Sequence, residues 1–297
     1  MRIQLIEAYK QPKNYSVYVV ITIIILILIA LCVLIPITIK NKGKTGKEQQ
    51  KQEENIVATN TTNTIAEQMP VIEEKNLPVL TEEGIQNISN IYHSEEKIAY
   101  LTFDDGPSES VTPLILDVLK NNNIKATFFV LGSRVELSPE LVKRAYEEGH
   151  YIANHGYSHV YKQIYASPES ILAEYTQTND AIRVAIGEPE YQSHLLRFPG
   201  GSKGSAYEDV IQQSIELLKT NGITYLDWNA LTGDSEGKKT KEAMLQRLQE
   251  TVEGKNSVVI LMHDASDKIL TYEVLQDVIN YLTEQGYRFG NMYDLIK

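Results

Sequence analysis

From residue 96 onward the chain alternates short apolar runs with longer amphipathic stretches. The runs at 99–103, 126–130, 151–154, 195–198, 224–228 and 258–262 read as buried strands, and 288–289 as a weaker seventh. Helical spacing predicts helices over 111–121, 139–148, 168–186, 207–221, 239–253 and 272–285. Ser138-Pro139 and Ser167-Pro168 each offer a cap followed by proline in the first turn. Gly149, Gly222 and Gly286 stand where helices stop. Repeated strand–helix units imply an α/β fold with a parallel sheet, either a barrel or an open sheet. There is no internal repeat.

The first third of the chain has a different pattern. Residues 14–39 carry no charge and are mostly apolar, long enough to span a bilayer as a helix. Pro36-Ile37-Thr38-Ile39-Lys40 follows, with no A-x-A-like cleavage site, so 14–40 is expected to be an uncleaved membrane anchor behind a short tail, 1–13. Residues 41–91 are rich in Lys, Gln, Glu, Asn and Thr and bury too little to fold alone. They read as a flexible tether of roughly 40 Å mean span, with room for a short helix near its end. The folded domain is then 92–297.

Charge and cysteine narrow the picture. Residues 92–297 hold 19 Lys+Arg and 30 Asp+Glu, a net −11, which excludes nucleic acid as a natural partner. The single cysteine, Cys32, lies inside the apolar segment. The remainder therefore has no disulfide framework, thiolate metal site or thiol nucleophile.

The chemistry concentrates at strand ends. Thr102-Phe103-Asp104-Asp105-Gly106-Pro107 closes an apolar strand, and His155-Gly156-Tyr157-Ser158-His159 closes another. Two adjacent carboxylates and an H-x₃-H pair supply one Asp and two His ligands for a metal and leave one carboxylate as a base. One helical turn would bring His155 and His159 to the same side. Alone, each string is weak: D-D-G-P is commonly a turn, and most H-x₃-H pairs bind nothing. Three later segments fall at similar places: Leu196-Arg197-Phe198-Pro199-Gly200-Gly201-Ser202, the stretch from Leu226 to Ser235, and Val259-Ile260-Leu261-Met262-His263-Asp264. Taken singly, the first is a salt bridge at a Gly-rich turn and the last a core-edge histidine. His150 precedes its strand and is expected to be structural, and Trp228 to pack in the core.

In this order the five segments resemble those of the NodB-type polysaccharide deacetylases (carbohydrate esterase family 4), and the resemblance spans roughly 96–297. It implies a distorted, incomplete (β/α) barrel with its active residues at the C-terminal ends of strands. It further implies Asp105, His155 and His159 as ligands of a divalent metal, zinc first and cobalt or nickel as alternatives. Asp104 becomes the general base, kept ionised and oriented by Arg197, and His263 the general acid, with Leu261 lining the acetyl pocket. Asp234 is the candidate that tunes the acid, since a neighbouring carboxylate raises an imidazole's pKa. Ser158 would steady a ligand imidazole or its loop. Gly200 stands where tyrosine is common. It keeps the backbone N–H expected to meet the oxyanion but lacks the side chain. Ser235 follows Asp234 where tryptophan is often found, so an aromatic wall is missing there.

The expected reaction is hydrolysis of N-acetyl groups on a cell-wall glycan, with peptidoglycan N-acetylglucosamine first among substrates. N-acetylmuramic residues, chitin-like oligomers and poly-N-acetylglucosamine stay open. Rival readings are an O-acetyl esterase of xylan-like polymers and an inactive glycan-binding surface module. Such a substrate puts a single-pass protein's domain outside the cell membrane, whereas the lysines after Ile39 favour the cytoplasm by the positive-inside rule.

Overall fold

Among the described residues, seven strands run in the order β5-β4-β3-β2-β1-β7-β6, and an eighth pairs with β1. They are β1 (Ile98–Asp104), β2 (Thr127–Val130), β3 (Tyr151–Asn154), β4 (Leu195–Leu196), β5 (Thr224–Tyr225), β6 (Ala230–Leu231), β7 (Ser257–His263) and β8 (Arg288–Phe289). Every registered pair is parallel. No pairing joins β5 to β6, so the curled sheet is an open half-barrel. The structure, a computed structural model, describes residues 77–296. The expected anchor and the tether as far as residue 76 lie outside the described residues. Among the described residues, no helix is long and apolar enough to cross a membrane.

Strand alternation builds two apolar layers from one sequence. Ala99, Leu101 and Phe103 of β1 and Val258, Ile260 and Met262 of β7 enter one core cluster with helix residues such as Ile115, Leu116, Val274 and Leu275. Ile98, Tyr100 and Val259 face the other way, into a second cluster with Phe129, Tyr151, Leu195 and Leu226. β1 is therefore buried along its whole length. Its C-terminal Thr102 and Asp104 share the parity of Ile98 and Tyr100, so the same rule sends them to the inner face.

The helices are α1 (Glu82–Ser89), α2 (Thr112–Asn121), α3 (Gly132–Leu137), α4 (Pro139–Glu147), α5 (Tyr161–Ile164), α6 (Pro168–Ile186), α7 (Glu208–Thr220), α8 (Lys241–Val252) and α9 (Ile269–Glu284). The predicted six are present, 168–186 with the ends expected and the other five with ends shifted by up to three residues. Ser167 caps α6 by accepting from the Ser170 N–H, but Ser138 makes no side-chain cap for α4. Short α3 and α5 were not predicted; four to six residues are too few to show a period. The predicted strands 195–198 and 224–228 pair over two residues each, because Pro199 and two left-handed glycines, Gly200 and Gly201, turn the chain away. β6 is an unpredicted edge strand on β7.

Residues 77–91 fall in the stretch whose polarity suggested a tether, yet they pack on the domain. Thr81 caps α1 by accepting from the Gly84 N–H at 3.0 Å. Ile88 and Ile91 are buried in the inner cluster beside Ile98, Tyr100 and Met292. The Ser257 hydroxyl donates to the Ile91 carbonyl. Two isoleucines among polar neighbours are a faint signal, and their three-residue spacing puts both on one face. Burying an isoleucine is worth about 1.5–3 kcal/mol. A chain begun at residue 92 should therefore melt roughly 10 °C or more below one begun at residue 77. Equal melting temperatures by circular dichroism would show that α1 adds nothing to the fold.

Candidate active site

The sheet register gathers the expected residues. Asp104 pairs with His263 across β1 and β7 and with Phe129 across β1 and β2. Val130 pairs with Asn154, and Asn154 with Leu196. The next residues along β3 and β4 are His155 and Arg197, so Asp104, His155, Arg197 and His263, four of the expected residues, stand at the C-terminal ends of strands of one sheet.

Alternation would send Asp105 to the face opposite Asp104. Its backbone is instead left-handed, φ 72°, a conformation that aspartate tolerates better than most residues. The side chain swings back, and Oδ1 lies 3.4 Å from His155 Nε2 and 3.2 Å from His159 Nε2. The predicted helical turn through the two histidines is absent; residues 155–160 form a loop in which Gly156 and His159 have positive φ. The Glu174 carboxylate on α6 shapes that loop. It accepts from the Tyr157 and Ser158 N–H groups at 2.6 and 2.7 Å and from the Ser158 hydroxyl at 2.7 Å. Ser158 thus steadies the loop, not an imidazole. Glu174 gave no sequence signal, because a mid-helix glutamate is ordinarily solvated.

The ligand set fits a metal ion. Asp105 Oδ1 is buried without a hydrogen-bond partner, and the three ligand atoms lie within 4.8 Å of one another. Tetrahedral ligands about 2.0–2.2 Å from an ion stand roughly 3.3–3.6 Å apart, close to the two distances observed. His155 Nδ1 lies 2.8 Å from the Arg197 carbonyl; donating to it leaves Nε2 with its lone pair. Burial lowers the His155 pKa to about 3, against the pull of Asp105, so the ring is neutral, as ligation requires.

Arg197 is fully buried. Its Nη1 donates to Asp104 Oδ1 at 2.9 Å and to Thr102 Oγ1 at 2.7 Å. Nε donates to the Leu226 carbonyl at 3.0 Å and Nη2 to that of Asp227 at 3.1 Å. The Phe129 ring lies beneath the guanidinium, its centroid 4.0 Å from Cζ, and Trp228 flanks it at 5.7 Å, so Trp228 serves packing as expected. Asp104 Oδ2 stays free and points toward His155, 3.7 Å off. Burial pushes the Asp104 carboxyl above its usual range, and the charges of Arg197 and His263 oppose that push without overcoming it. A cation on the adjacent ligands would add the missing positive charge.

On the opposite flank, His263 Nδ1 lies 3.0 Å from Asp234 Oδ1. Asp234 Oδ2 accepts from the His263 N–H and from the Thr271 hydroxyl. Burial works against charge on this imidazole, but the Asp234 hydrogen bond and charge, aided by Asp104 and Asp105, win and raise its pKa to about 9. Leu261 is buried on the same face, paired with Thr102. The Gly200 N–H makes no hydrogen bond among the described residues. His150 lies away from this group. It is buried before β3, its Nδ1 accepting from the Ala126 N–H.

Comparison with known proteins places this arrangement. The polysaccharide deacetylase family pattern matches residues 92–225. YheN of Bacillus subtilis (strain 168), provisionally named a polysaccharide deacetylase, is 37% identical over 214 residues, covering 71% of this chain and 72% of that one. The peptidoglycan-N-acetylglucosamine deacetylase PgdA of Listeria monocytogenes is 34% identical over 195 residues, 66% of this chain but only 38% of PgdA. Among solved structures, a Streptococcus mutans CE4 esterase superposes with a TM-score of 0.63 at 30% identity, covering 72% of this chain and 92% of that one.

If Glu174 holds the ligand loop, Glu174→Ala should weaken zinc affinity about 10–100-fold while leaving the ligands themselves intact. Competition with a chromogenic chelator measures this. Wild-type affinity in the variant would remove Glu174 from the site.

Proposed function

The chain belongs to the polysaccharide deacetylase family, and from that premise we propose that it hydrolyses N-acetyl groups on a cell-wall glycan, foremost peptidoglycan N-acetylglucosamine. The observation that supports this reading best is the unpartnered Asp105 Oδ1 facing two imidazole Nε2 atoms, with a base on one flank and an acid on the other. A divalent ion held by Asp105, His155 and His159, zinc by preference for this N₂O donor set, would polarise the acetyl carbonyl and the attacking water. The residues of the chain do the rest. Arg197 locks one oxygen of Asp104, leaving Oδ2 to take the water's proton as oxygen bonds to the acetyl carbon. The Gly200 N–H donates to the oxyanion that develops. As the C–N bond breaks, His263 Nε2 protonates the departing amine, with Nδ1 held by Asp234. Acetate leaves, and a glucosamine unit remains.

A protonated imidazole matters more for expelling an amine than an alcohol. The raised His263 pKa therefore favours amide over ester substrates, although the structural relative from Streptococcus mutans is named an esterase. The chain should release acetate from purified peptidoglycan faster than from acetylated xylan. Asp104→Asn should keep its metal and lose roughly 10²–10⁴-fold in turnover. Faster release from xylan would favour the esterase reading, and full turnover by metal-loaded Asp104→Asn would remove the proposed base.

The pH dependence follows from the direction of the His263 shift. Its acid form is populated below the raised pKa, so activity should fall as pH rises through about 9. Asp234→Asn removes the chief partner that raises the pKa and leaves burial, which lowers it, opposed only by the charges of Asp104 and Asp105. The alkaline limb of kcat/KM should then move toward or below the ordinary 6.5. By linkage, the His263–Asp234 pair stabilises the fold fully below about 6.5, and that contribution is lost as pH rises through about 9. An unmoved alkaline limb in Asp234→Asn would show that another group sets it.

A further inference from the structure

Two apolar side chains directly follow the ligand His159 and remain in solvent: Val160 is 46% exposed and Tyr161 37%. The Tyr161 ring leans on the His159 imidazole, with centroids 5.5 Å apart. Behind it stand Tyr165 and Tyr207, at 5.9 and 6.1 Å, themselves stacked at 4.9 Å. Tyr165 is buried and locked, its hydroxyl donating to the Pro199 carbonyl at 2.7 Å. The Tyr161 hydroxyl has no hydrogen-bond partner among the described residues.

Gly200 lies across from this ring. A Cβ added there would come within 3.1 Å of the Tyr161 hydroxyl and 3.6 Å of the ring. Its φ of 84° is also one that a side-chain-bearing residue rarely adopts. Any side chain at 200 and Tyr161 would therefore compete for one space. The glycine concedes that space to an aromatic ring carried by the first residue of α5.

We infer that Tyr161 is a substrate-binding residue, an aromatic wall against which a pyranose ring of the N-acetylated glycan stacks beside the metal ligands. This rests on the deacetylase reading. A rigid ring braced by two others loses little entropy on binding, and its free hydroxyl can meet a sugar hydroxyl at the edge of an apolar contact. The wall replaces contacts that a side chain at position 200 would make, and the net negative charge of the chain is no obstacle to a neutral sugar.

The test is direct binding of the N-acetylglucosamine tetramer to the zinc-loaded chain, by calorimetry. Tyr161→Ala should raise Kd about tenfold. Tyr161→Trp should bind within about twofold of wild type. Tyr161→Phe, which keeps the ring and loses the hydroxyl, should fall between wild type and Tyr161→Ala. Unfolding temperature and zinc content, compared across the variants, guard against a folding defect. Equal affinity in Tyr161→Ala, or no binding by the wild type, overturns the inference. Tight, Tyr161-dependent binding without any acetate release would uphold the wall and count against the deacetylase reading alone.

Discussion

A guanidinium with no exposure to water needs partners for its N–H groups, and Arg197 donates four hydrogen bonds with an aromatic ring beneath it. A buried, uncompensated charge costs several kcal/mol, so the fold is held to whatever geometry supplies Asp104, Thr102 and the Leu226 and Asp227 carbonyls together. That requirement ties β1 to β4 and to the chain beyond β5. Thr102 in turn donates to the Ile260 carbonyl at 2.7 Å, which brings β7 into the same network. The Arg197 carbonyl faces His155 Nδ1, so one residue holds the proposed base, Asp104, through its side chain and the candidate metal ligand His155 through its backbone. The flatness of the guanidinium, pressed on Phe129, is what lysine could not reproduce.

Around that residue, strand alternation and its single reversal do the positioning. Even-numbered residues of β1 face inward and carry Thr102 and Asp104 to the site. The left-handed turn at Asp105 then returns the next carboxylate to the same side. Two adjacent aspartates can thereby divide their labour, one locked by Arg197 and the other left unpartnered among imidazoles. A buried carboxyl, Asp264, underpins the turn. Its N–H donates to the Asp104 carbonyl, and its Oδ2 accepts from Thr112 at 2.6 Å. A Cβ on Gly106 would fall about 2.1 Å from that carboxylate, so only glycine fits there.

Much of this was legible as strings. The strand–helix alternation announced a parallel sheet, because period and length carry that signal. Asp104, His155, Arg197 and His263 lie at the ends of predicted strands, with Asp105 and His159 in the segments just beyond, and in the structure they converge. What the strings hid were contacts between distant segments. Glu174 is an unremarkable helix residue until its carboxylate meets the Tyr157 and Ser158 N–H groups. Thr102 is one more β-branched strand residue until Arg197 reaches it. The H-x₃-H spacing suggested a helix, but a loop does the work, because Gly156 and His159 take positive φ. Composition misled in the other direction at 81–91, where polar residues concealed Ile88 and Ile91 facing the core.

The account stands or falls on whether Arg197 acts through Asp104. A double-mutant cycle on kcat/KM with peptidoglycan, the proposed substrate, measures that coupling, using Arg197→Lys, Asp104→Asn and the pair, each checked for fold and metal content. If the guanidinium serves to orient and charge the base, the second substitution costs little once the first is made. The double variant should then be no worse than Asp104→Asn, to within about twofold. Losses that multiply in full would mean that the two residues act independently, and would contradict the account.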